Sequence, residues 1–290
     1  MNNNTMDTIS VVYLSWIPYG IDEMKEFVKS YKEHSAGVPH QLTIVFNGVH
    51  TDEDYQPFLK IAEDELENNF TYFILEKGQD IDAYFFVTRK LKSDYLLFLN
   101  TYSRILVDNW LRKFVKAFED SQIGLVSATA SAMSYYSAVF QKNSWKWDRK
   151  QSMFDEFRKY KLMIKALLYW RFLFKSFPNY HIRTNAFMIK RETMLRIQCP
   201  RLDSKFKAYL FESGHMSLTN QVLKMNLSVR MMDRNGQLYE MKDWAHVPVF
   251  WNEKQQLLLI KDNQTNKYAS ALPEEQQFMS YLAWGKSAQS

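Results

Sequence analysis

Residues 92–128 read KSDYLLFLNTYSRILVDNWLRKFVKAFEDSQIGLVSA, and their pattern indicates the fold class. The apolar run at 94–99 predicts a buried strand, because its apolar positions are continuous and do not alternate with polar ones. Residues 107–120 have helical spacing with their apolar side chains on one face, and residues 123–127 form a second apolar run. A strand, a helix and a strand in succession predict a parallel βαβ unit.

The same alternation occurs before this stretch and returns after residue 180. Apolar runs predict further strands at 9–14, 41–46, 71–75, 185–189 and 227–233. Helical spacing predicts helices at 22–31, 55–67 and 81–91, and Asn235-Gly236 predicts a hairpin turn. We therefore predict an α/β fold, in which a mostly parallel, Rossmann-like sheet is sandwiched by helices, with a helical insertion at 131–180.

The composition is that of a globular protein with a large core. The chain has 290 residues, 46% hydrophobic and 24% charged, which suits one large α/β domain with additions or two small domains. Cys199 is the single cysteine, so the sequence excludes an internal disulfide and a cysteine-rich metal site and fits a reducing compartment. The net charge of +5 favours anionic partners without indicating nucleic acid.

The sequence predicts neither a signal peptide nor a membrane span. The segment MNNNTMDTIS has no basic region followed by an apolar core. The most apolar segment, residues 162–174, is too short to cross a bilayer and contains Lys165 and Arg171. We expect a cytoplasmic protein. Peripheral binding to the inner face of the membrane is an open alternative.

Polar residues follow the predicted parallel strands at the points where the strands end. They are Ser15-Trp16, Asn47-Gly48, residues 76–78 and residues 100–103. In open α/β sheets, ligands bind in the crevice at the carboxyl ends of the strands. The sequence therefore predicts a binding site built from these four strand ends.

Five blocks of the chain carry a resemblance to a known family. They are ISVVYLSW, LTIVFNGV, the stretch at 92–128, HIRTNAFMIKRETM and FESGHMSLTNQVLKMNLSVRMMD. In this order they resemble the nucleotide-sugar glycosyltransferases of the GT-A fold, most closely the inverting family 2. The resemblance covers residues 8–250.

The resemblance implies an organisation and an activity. Residues 7–130 would be the donor-binding half, 131–180 a basic and aromatic helical insertion, 181–250 the acceptor-binding and catalytic half, and 251–290 a C-terminal helix and tail. A hexosyl or deoxyhexosyl group would pass from a nucleoside-diphosphate sugar to a hydroxyl of a glycan or lipid-linked glycan, in bacterial surface polysaccharide synthesis such as that of O-antigen or capsule. Two alternatives stay open: a retaining transferase, and a catalytically silent domain that serves as a binding or scaffold subunit.

The chain departs from the family pattern at two places. The acidic metal-binding motif is replaced by Asn100-Thr101-Tyr102, and the Glu-Asp pair of the base segment is Glu212-Ser213. Neutral amide and hydroxyl groups do not supply the anionic oxygens that a divalent cation prefers. We therefore predict no essential metal cofactor, although Mn²⁺ or Mg²⁺ could still bind.

The resemblance also implies the residues of the site. Glu212 would be the catalytic base, with His215 sharing the role or orienting a substrate. The donor would contact Ser15, Trp16, Asn47, Gly78, Asp80, Asp82, Asn100, Tyr102 and Arg104. Arg183, Asn185 and His246 would face the acceptor or, like Arg104, balance the leaving diphosphate.

Helix capping is the alternative for several of these side chains, because acidic and hydroxyl groups are favoured at helix N-termini. Glu212 and Asp80 would then cap the helices that follow them. Ser103 or Asp108 would cap the helix that contains Trp110.

Residues 142–180 combine basic and aromatic side chains at helical spacing. The basic ones are Lys142, Lys146, Arg149, Lys150, Arg158, Lys159, Lys161, Lys165, Arg171 and Lys175, and the aromatic ones include Trp145, Trp147, Tyr160, Tyr169, Trp170 and Phe172. Two interpretations stay open: an interfacial helix on an anionic membrane, or an insertion packed on the core with solvated lysines. No nucleic-acid-binding module is recognised, so nucleic acid is not an expected partner.

Overall fold

The computed structural model describes residues 8–76, 78–140, 153–199 and 204–285, with only the backbone described at 153–159. The strands of the described residues are β1 Ile9–Trp16, β2 Gln41–Asn47, β3 Phe70–Leu75, β4 Tyr95–Leu99, β5 Arg104–Ile105, β6 Ile123–Ser127, β7 Ala130–Ser131, β8 His181–Ile182, β9 Phe187–Lys190, β10 Ser228–Met232, β11 Leu238–Tyr239 and β12 Ile260–Lys261. The helices are α1 Ile21–Glu33, α2 Asp52–Leu66, α3 Asp80–Lys90, α4 Trp110–Ala117, α5 Tyr135–Ala138, α6 Met153–Leu168, α7 Arg191–Arg196, α8 Lys205–Ser213, α9 Leu218–Lys224, α10 Asn263–Ser270 and α11 Pro273–Trp284. Short 3₁₀ turns occupy Ile17–Tyr19, Trp170–Phe172 and Trp244–His246.

Eight strands form one sheet in the order β11-β10-β6-β9-β4-β1-β2-β3. Strand β1 pairs in parallel with β2 and β4, β2 with β3, and β6 with β10. Strand β9 runs antiparallel between β4 and β6, and β11 returns antiparallel to β10. Two small antiparallel pairs, β5 with β12 and β7 with β8, lie outside this sheet.

The sheet is buried on both faces, as continuous apolar strands require. In β1, Val12 and Leu14 pack into one core cluster, whereas Val11 and Tyr13 pack into the other. Helices α1, α2 and α4 cover the second face, and α3, α8, α9 and α11 contribute to the first. The predicted fold class, an α/β protein with a mostly parallel Rossmann-like sheet between helices, is confirmed.

The predicted hairpin also forms. The backbone N–H of Gly236 donates to the carbonyl of Asp233 (3.0 Å), and Gly236 has φ 86°, in the left-handed region that glycine tolerates. This turn joins β10 to β11 at the edge of the sheet.

The C-terminal segment belongs to the core. The sequence predicts a helix and tail after residue 250, and the described residues there form α10 and α11. Met279, Ala283 and Trp284 are buried, and the indole N–H of Trp284 donates to the carbonyl of Phe250 (2.6 Å). The segment therefore contributes to the core cluster on the first face of the sheet. The division of the chain into a donor-binding half and an acceptor-binding half stays a prediction.

The insertion connects β7 to β8, and these two strands pair with each other. In its described part, Ala166, Trp170 and Phe174 form a small third cluster, against which Phe206 and Tyr209 of α8 pack. Residues 141–152, which contain Lys142, Trp145, Lys146, Trp147, Arg149 and Lys150, lie outside the described residues, as do the side chains of Arg158 and Lys159. Within the described residues, no helix is both long and apolar enough for a membrane span.

Candidate active site

Two cavities meet at the carboxyl edge of β1 and β4. The first cavity, of about 390 Å³, is lined by Trp16, Tyr19, Gly78, Gln79, Asp80, Ile81, Asn100, Thr101, Tyr102, Thr184, Lys205, Ala208, Tyr209, Glu212 and Asn263. The second cavity, of about 380 Å³, is lined by Asp80, Asn100, Ser131, Met133, Tyr135, His181, Arg183, Thr184, Asn185, Tyr209, Glu212, Ser213, Phe250, Trp251 and Gln264. The residues that line both are Asp80, Asn100, Thr184, Tyr209 and Glu212.

Asn100 lies at the end of β4, where its side chain lines both cavities. Its amide oxygen accepts hydrogen bonds from the N–H of Tyr102 (3.2 Å) and the hydroxyl of Ser103 (3.2 Å). Because these two donors occupy the oxygen, the NH₂ group is the part of this side chain that can donate to a group in the cavities.

Capping by Ser103 or Asp108 is wrong. Helix α4 begins after Asn109, and no side chain caps it. The hydroxyl of Ser103 turns inward to Asn185 (2.8 Å), and the carboxylate of Asp108 accepts from the backbone N–H of Ser35 (2.9 Å).

Three aromatic rings border the first cavity. Tyr19 and Tyr102 have ring centroids 5.0 Å apart, and Tyr19 and Trp16 have centroids 6.5 Å apart in an edge-on arrangement. Burial raises the pKa of Tyr102, with a further contribution from Tyr19. The carboxyl ends of β1 and β4 and the residues after them thus present an aromatic surface on which a planar group can stack.

The first turn of α3 supplies Asp80, and only Asp80 of the two predicted aspartates lines a cavity. The carboxylate of Asp82 accepts from the backbone N–H of Gln79 (3.0 Å) and completes the capping box, so Asp82 has the capping role that the sequence offered for Asp80. Gly78 lines the first cavity. Asn47 is fully buried and donates to the carbonyl of Gly78 (3.0 Å), so it acts on the loop that carries the site.

Glu212 reaches the cavities because α8 turns one face toward them. Lys205, Ala208, Tyr209 and Glu212 are spaced i, i+3, i+4 and i+7, which places them on one side of a helix. The hydroxyl of Ser204 accepts from the N–H of Lys207 and begins the helix. Glu212 lies in the last turn, opposite to the position that a capping glutamate would take.

The capping interpretation of Glu212 is therefore wrong. The hydroxyl of Ser217 caps the next helix, α9, by accepting from the N–H of Asn220 (3.3 Å). A carboxylate near a helix C-terminus is unfavourable, because the helix dipole is negative there. Glu212 is held at that place by a hydrogen bond from the hydroxyl of Thr184.

Burial makes both carboxylates at the junction harder to ionise. It raises the pKa of Glu212, while the hydrogen bond from Thr184 and the charge of Arg183 act in the opposite direction. Burial, followed by the charge of Glu212, raises the pKa of Asp80 from 3.8 to about 6. Two acids with shifted pKa values in one cleft are typical of a catalytic centre.

A buried network supports the second cavity. The guanidinium of Arg183 pairs with the carboxylate of Asp262 (2.7 Å) and lies 4.2 Å from the centroid of the Phe250 ring. The amide of Asn185 donates to the same Asp262 oxygen (3.0 Å) and accepts from Ser103. Asp262 is fully buried, so Arg183 and Asn185 are held in place by the C-terminal segment.

Several predicted site residues line neither cavity. Arg104 pairs with Glu23 and donates to two backbone carbonyls, because β5 directs its side chain toward α1. His215 and His246 are exposed outside both cavities. Ser15 is buried beside Trp16, and its hydroxyl has no hydrogen-bond partner among the described residues.

The sequence did not indicate several residues that line the cavities. They are Tyr19, Gln79, Thr184, Lys205, Tyr209 and Asn263 in the first, and Ser131, Tyr135, His181, Phe250, Trp251 and Gln264 in the second. The spacing of Lys205 and Tyr209 relative to Glu212 was a usable signal. The others come from separate segments, and no local pattern relates them.

The described residues offer no cluster of three or more His, Cys, Asp or Glu side chains for a metal ion. Asp80 and Glu212 are the carboxylates that line the cavities, and Thr184 already binds Glu212. Mg²⁺ or Ca²⁺ takes six or more oxygen ligands. This donor set supplies fewer, so a bound ligand or water would have to provide the rest. The prediction that metal is not essential stays a prediction.

The sequence matches no family model and no curated protein. Among solved structures, it is similar to a mannosyltransferase from Pyrobaculum calidifontis in complex with GDP-Man and Mn²⁺, at 12% identity over 78% of this chain and 55% of that one, with a TM-score of 0.47. It is similar to GalNAc-T7 with UDP, GalNAc and Mn²⁺, at 12% identity over 95% of this chain and 52% of that one, with a TM-score of 0.48. TarS from S. aureus shares 15% identity over 70% of this chain and 53% of that one, with a TM-score of 0.40.

These matches are to glycosyltransferases of the GT-A type, the class that the sequence resembles. The chain spans about half the length of each of the three. At these identities and at TM-scores under 0.5, the similarity assigns no activity to the chain.

Proposed function

We propose that the protein is a glycosyltransferase that moves a sugar from a nucleoside-diphosphate donor to a hydroxyl of a glycan or lipid-linked glycan. One observation carries the proposal: Glu212 lies where the two cavities meet, so one carboxylate can face a donor on one side and an acceptor on the other. The resemblance to family 2 adds the expectation of inversion at the anomeric carbon and of a role in bacterial surface polysaccharide synthesis.

The proposed reaction takes its base from this placement and its inversion from the resemblance alone. Glu212 takes the proton of the acceptor hydroxyl as its oxygen attacks the anomeric carbon, and the bond to the nucleoside diphosphate breaks on the opposite side of that carbon. The raised pKa of Glu212 suits a base, because a more basic carboxylate takes a proton more readily. Thr184 orients the carboxylate by its hydrogen bond.

The first cavity would hold the donor. Its aromatic surface of Trp16, Tyr19 and Tyr102 would stack on the nucleobase. Lys205 carries the positive charge among the residues that line this cavity, and it would face the leaving diphosphate. It takes the place that the sequence assigned to Arg104, which pairs with Glu23.

The test is the variant Glu212→Gln, which keeps the size of the side chain and removes its ability to accept a proton. We expect transfer and donor hydrolysis to fall by roughly 10²–10⁴-fold, the usual contribution of general-base catalysis. Donor affinity should stay nearly constant, because glutamine keeps the size and hydrogen bonding of the side chain and the lost function, proton acceptance, concerns the acceptor hydroxyl. The matched control is Glu119→Gln, at an exposed position that lines neither cavity.

The measurement begins with calorimetric or thermal-shift screening of UDP-, GDP- and dTDP-sugars, with and without EDTA. We expect a donor to bind equally well with chelator. Near-normal turnover by Glu212→Gln would remove the residue from the base role. Donor binding without any transfer or hydrolysis by the unchanged protein would favour the catalytically silent scaffold.

We further propose that residues 160–172, which comprise the second half of α6 and the turn after it, rest on an anionic membrane surface. Large apolar side chains are 47–70% exposed there, namely Tyr160, Ile164, Leu167, Leu168, Tyr169 and Phe172. Lys161, Lys165 and Arg171 lie among them, and residues 160–175 include no acidic residue. Exposed apolar and basic side chains on one helix suit the interface of anionic lipid.

Vesicle co-sedimentation tests this surface. Binding should require phosphatidylglycerol, fall as salt rises, and weaken by at least roughly fivefold for each of Lys165→Glu and Arg171→Glu, since each basic residue near the surface contributes about 1 kcal/mol and the new carboxylate is repelled by the lipid. Lys60→Glu, an exposed lysine on α2, is the control. Equal binding to phosphatidylcholine vesicles, or no binding to either kind of vesicle, would favour the other interpretation, an insertion packed on the core.

A further inference from the structure

The second cavity contains a histidine that the proposed reaction does not use. His181 lies in β8 opposite Ser131 and is almost fully buried, yet it lines the cavity. Its Nδ1 atom lies 2.7 Å from the carbonyl oxygen of Asn179. A carbonyl only accepts, so Nδ1 carries the proton and donates it.

The other ring nitrogen, Nε2, is therefore a hydrogen-bond acceptor. Within the described part of the chain, no residue forms a hydrogen bond to Nε2. The protein does not fully enclose this atom, so a ligand in the cavity can reach it. Burial lowers the pKa of His181 to about 4, and the charge of Arg183 acts in the same direction. The imidazole is thus neutral at physiological pH and offers a fixed lone pair.

The lining of the second cavity offers an anionic ligand no cation without a carboxylate partner, whereas the first cavity has Lys205. Arg183 is the cationic side chain of the lining, and the buried carboxylate of Asp262 already balances it at 2.7 Å. Asp80 and Glu212 add acidic groups at the junction with the first cavity. The lining therefore has an excess of negative charge once Glu212 is ionised, as its role as base requires.

The remaining wall is aromatic. Phe250 and Trp251 have ring centroids 4.7 Å apart at an angle of 18°, and Tyr135 and Tyr209 have centroids 4.5 Å apart. Gln264 adds an amide that can both donate and accept. These rings give the wall apolar contact area beside fixed polar groups, which suits the C–H groups and the hydroxyls of a sugar ring.

We propose that the second cavity selects a neutral, polyhydroxylated ring at the acceptor end, and that His181 Nε2 accepts a hydrogen bond from one of its hydroxyls. This inference rests on the proposed function, because only that function makes the second cavity an acceptor site. It adds a specificity that the proposed function does not contain: an acceptor ring bearing a carboxylate or phosphate next to the reacting hydroxyl is rejected.

Matched probes test the charge selection directly. Methyl β-D-glucopyranoside and methyl β-D-glucuronide differ only at C6, where the second bears a carboxylate, and the galactose and mannose pairs differ in the same way. Saturation-transfer NMR with the full chain at pH 7.5 should show binding of at least one neutral glycoside. Its uronide should bind at least about tenfold more weakly.

Two variants test the role of His181. His181→Phe removes the lone pair and should weaken binding of the neutral glycoside by about tenfold or more, whereas His181→Gln keeps an acceptor oxygen and should recover part of the loss. Gln264→Leu, which changes another residue of the same wall, provides an independent second variant if His181→Phe does not fold. Affinity for the free nucleoside diphosphate, measured on the same samples, reports whether the fold and the first cavity are intact.

The outcomes separate this inference from the proposed function. Equal or tighter binding of the uronides, no binding of any neutral glycoside, or unchanged glycoside affinity in both His181→Phe and Gln264→Leu would overturn the inference, even where the protein hydrolyses a donor. Failure of every nucleoside-diphosphate sugar to bind would instead overturn the proposed function. Glycoside binding would still report on the cavity in that case.

Discussion

Asp80 and Glu212 are two carboxylates held where their charges are costly. Both line the junction of the cavities, and burial raises the pKa of each. Proteins retain such unfavourable charges mainly where chemistry uses them. Stability and activity should therefore respond in opposite directions when the charges are removed.

The stability prediction concerns Asp80→Asn. The folded state keeps the Asp80 proton up to about pH 6, whereas the unfolded chain releases it near 3.8. The folded state thus binds more protons between these values, and its stability falls as the pH rises through this window. At pH 8 the variant should be more stable than the unchanged protein by about 1–3 kcal/mol, and the difference should vanish at pH 3.5.

Thermal unfolding at the two pH values measures the effect. Asp82→Asn is the matched control, because it removes a carboxylate from the same helix turn, where the group caps the N–H of Gln79. This variant should lose about 0.5–2 kcal/mol at pH 8. A loss of stability in Asp80→Asn at pH 8 would show that its charge is not a burden on the fold.

The activity prediction concerns the pH dependence of transfer. A base must be deprotonated, and burial raises the pKa of Glu212 above the ordinary glutamate value of 4.5. The rate should therefore fall as the pH drops through a value above 4.5, with a slope of one proton. A profile of kcat/KM from pH 4 to 9 tests this, and a rate that stays flat down to pH 4.5 would contradict it.

The loops that follow β1 and β4 meet at the aromatic surface of the first cavity. Tyr19 and Tyr102 come from separate elements, and each ring is in contact with the other. Stacking of a base on an aromatic side chain is worth about 1–3 kcal/mol in nucleic-acid-binding proteins. We expect Tyr19→Ala and Tyr102→Ala each to weaken nucleoside-diphosphate binding by roughly 5- to 150-fold.

Calorimetry with the free nucleoside diphosphate measures this loss without involving the acceptor. Tyr72→Ala is the control, since this exposed tyrosine lies on the edge strand β3, outside both cavities. Full affinity in both Tyr19→Ala and Tyr102→Ala would place the nucleobase elsewhere.

At the scale of the whole molecule, the C-terminal segment joins the core to the site. Large side chains after residue 250 are buried, namely Leu258, Leu259, Ile260, Met279 and Trp284. Asp262 in the same segment holds Arg183 and Asn185. The segment thus contributes to the hydrophobic core and to the second cavity at once.

Truncation after Phe250 should abolish cooperative folding. Each lost apolar side chain removes about 1.5–3 kcal/mol, and five of them approach the entire 5–15 kcal/mol by which domains are stable. Circular dichroism and thermal unfolding of the truncated chain would show this. Leu272→Ala, at an exposed position of the same segment, should change stability little. A truncated chain that still unfolds cooperatively would contradict the role of the segment.

The succession of strands and helices was predictable from the sequence. Apolar runs and helical spacing are local properties of the chain, and they located the main strands of the sheet and the hairpin at Gly236. Strand ends in a parallel sheet share one edge, so Asn100, Asp80 and Tyr102 were correctly expected near one another. The resemblance contributed Glu212, which no local pattern identifies.

Which polar side chains face the cavities depends on how distant elements pack, and the sequence does not show it. Asp80 and Asp82 are two residues apart, and their directions on α3 separate a site residue from a capping residue. Arg104 lies two residues after Tyr102 and turns to Glu23 instead. The second cavity joins residues from β7, β8 and the segment after residue 250, whose closeness depends on packing over long sequence separations. Periodicity sets which face of an element is buried, whereas the packing of distant elements sets what that face meets.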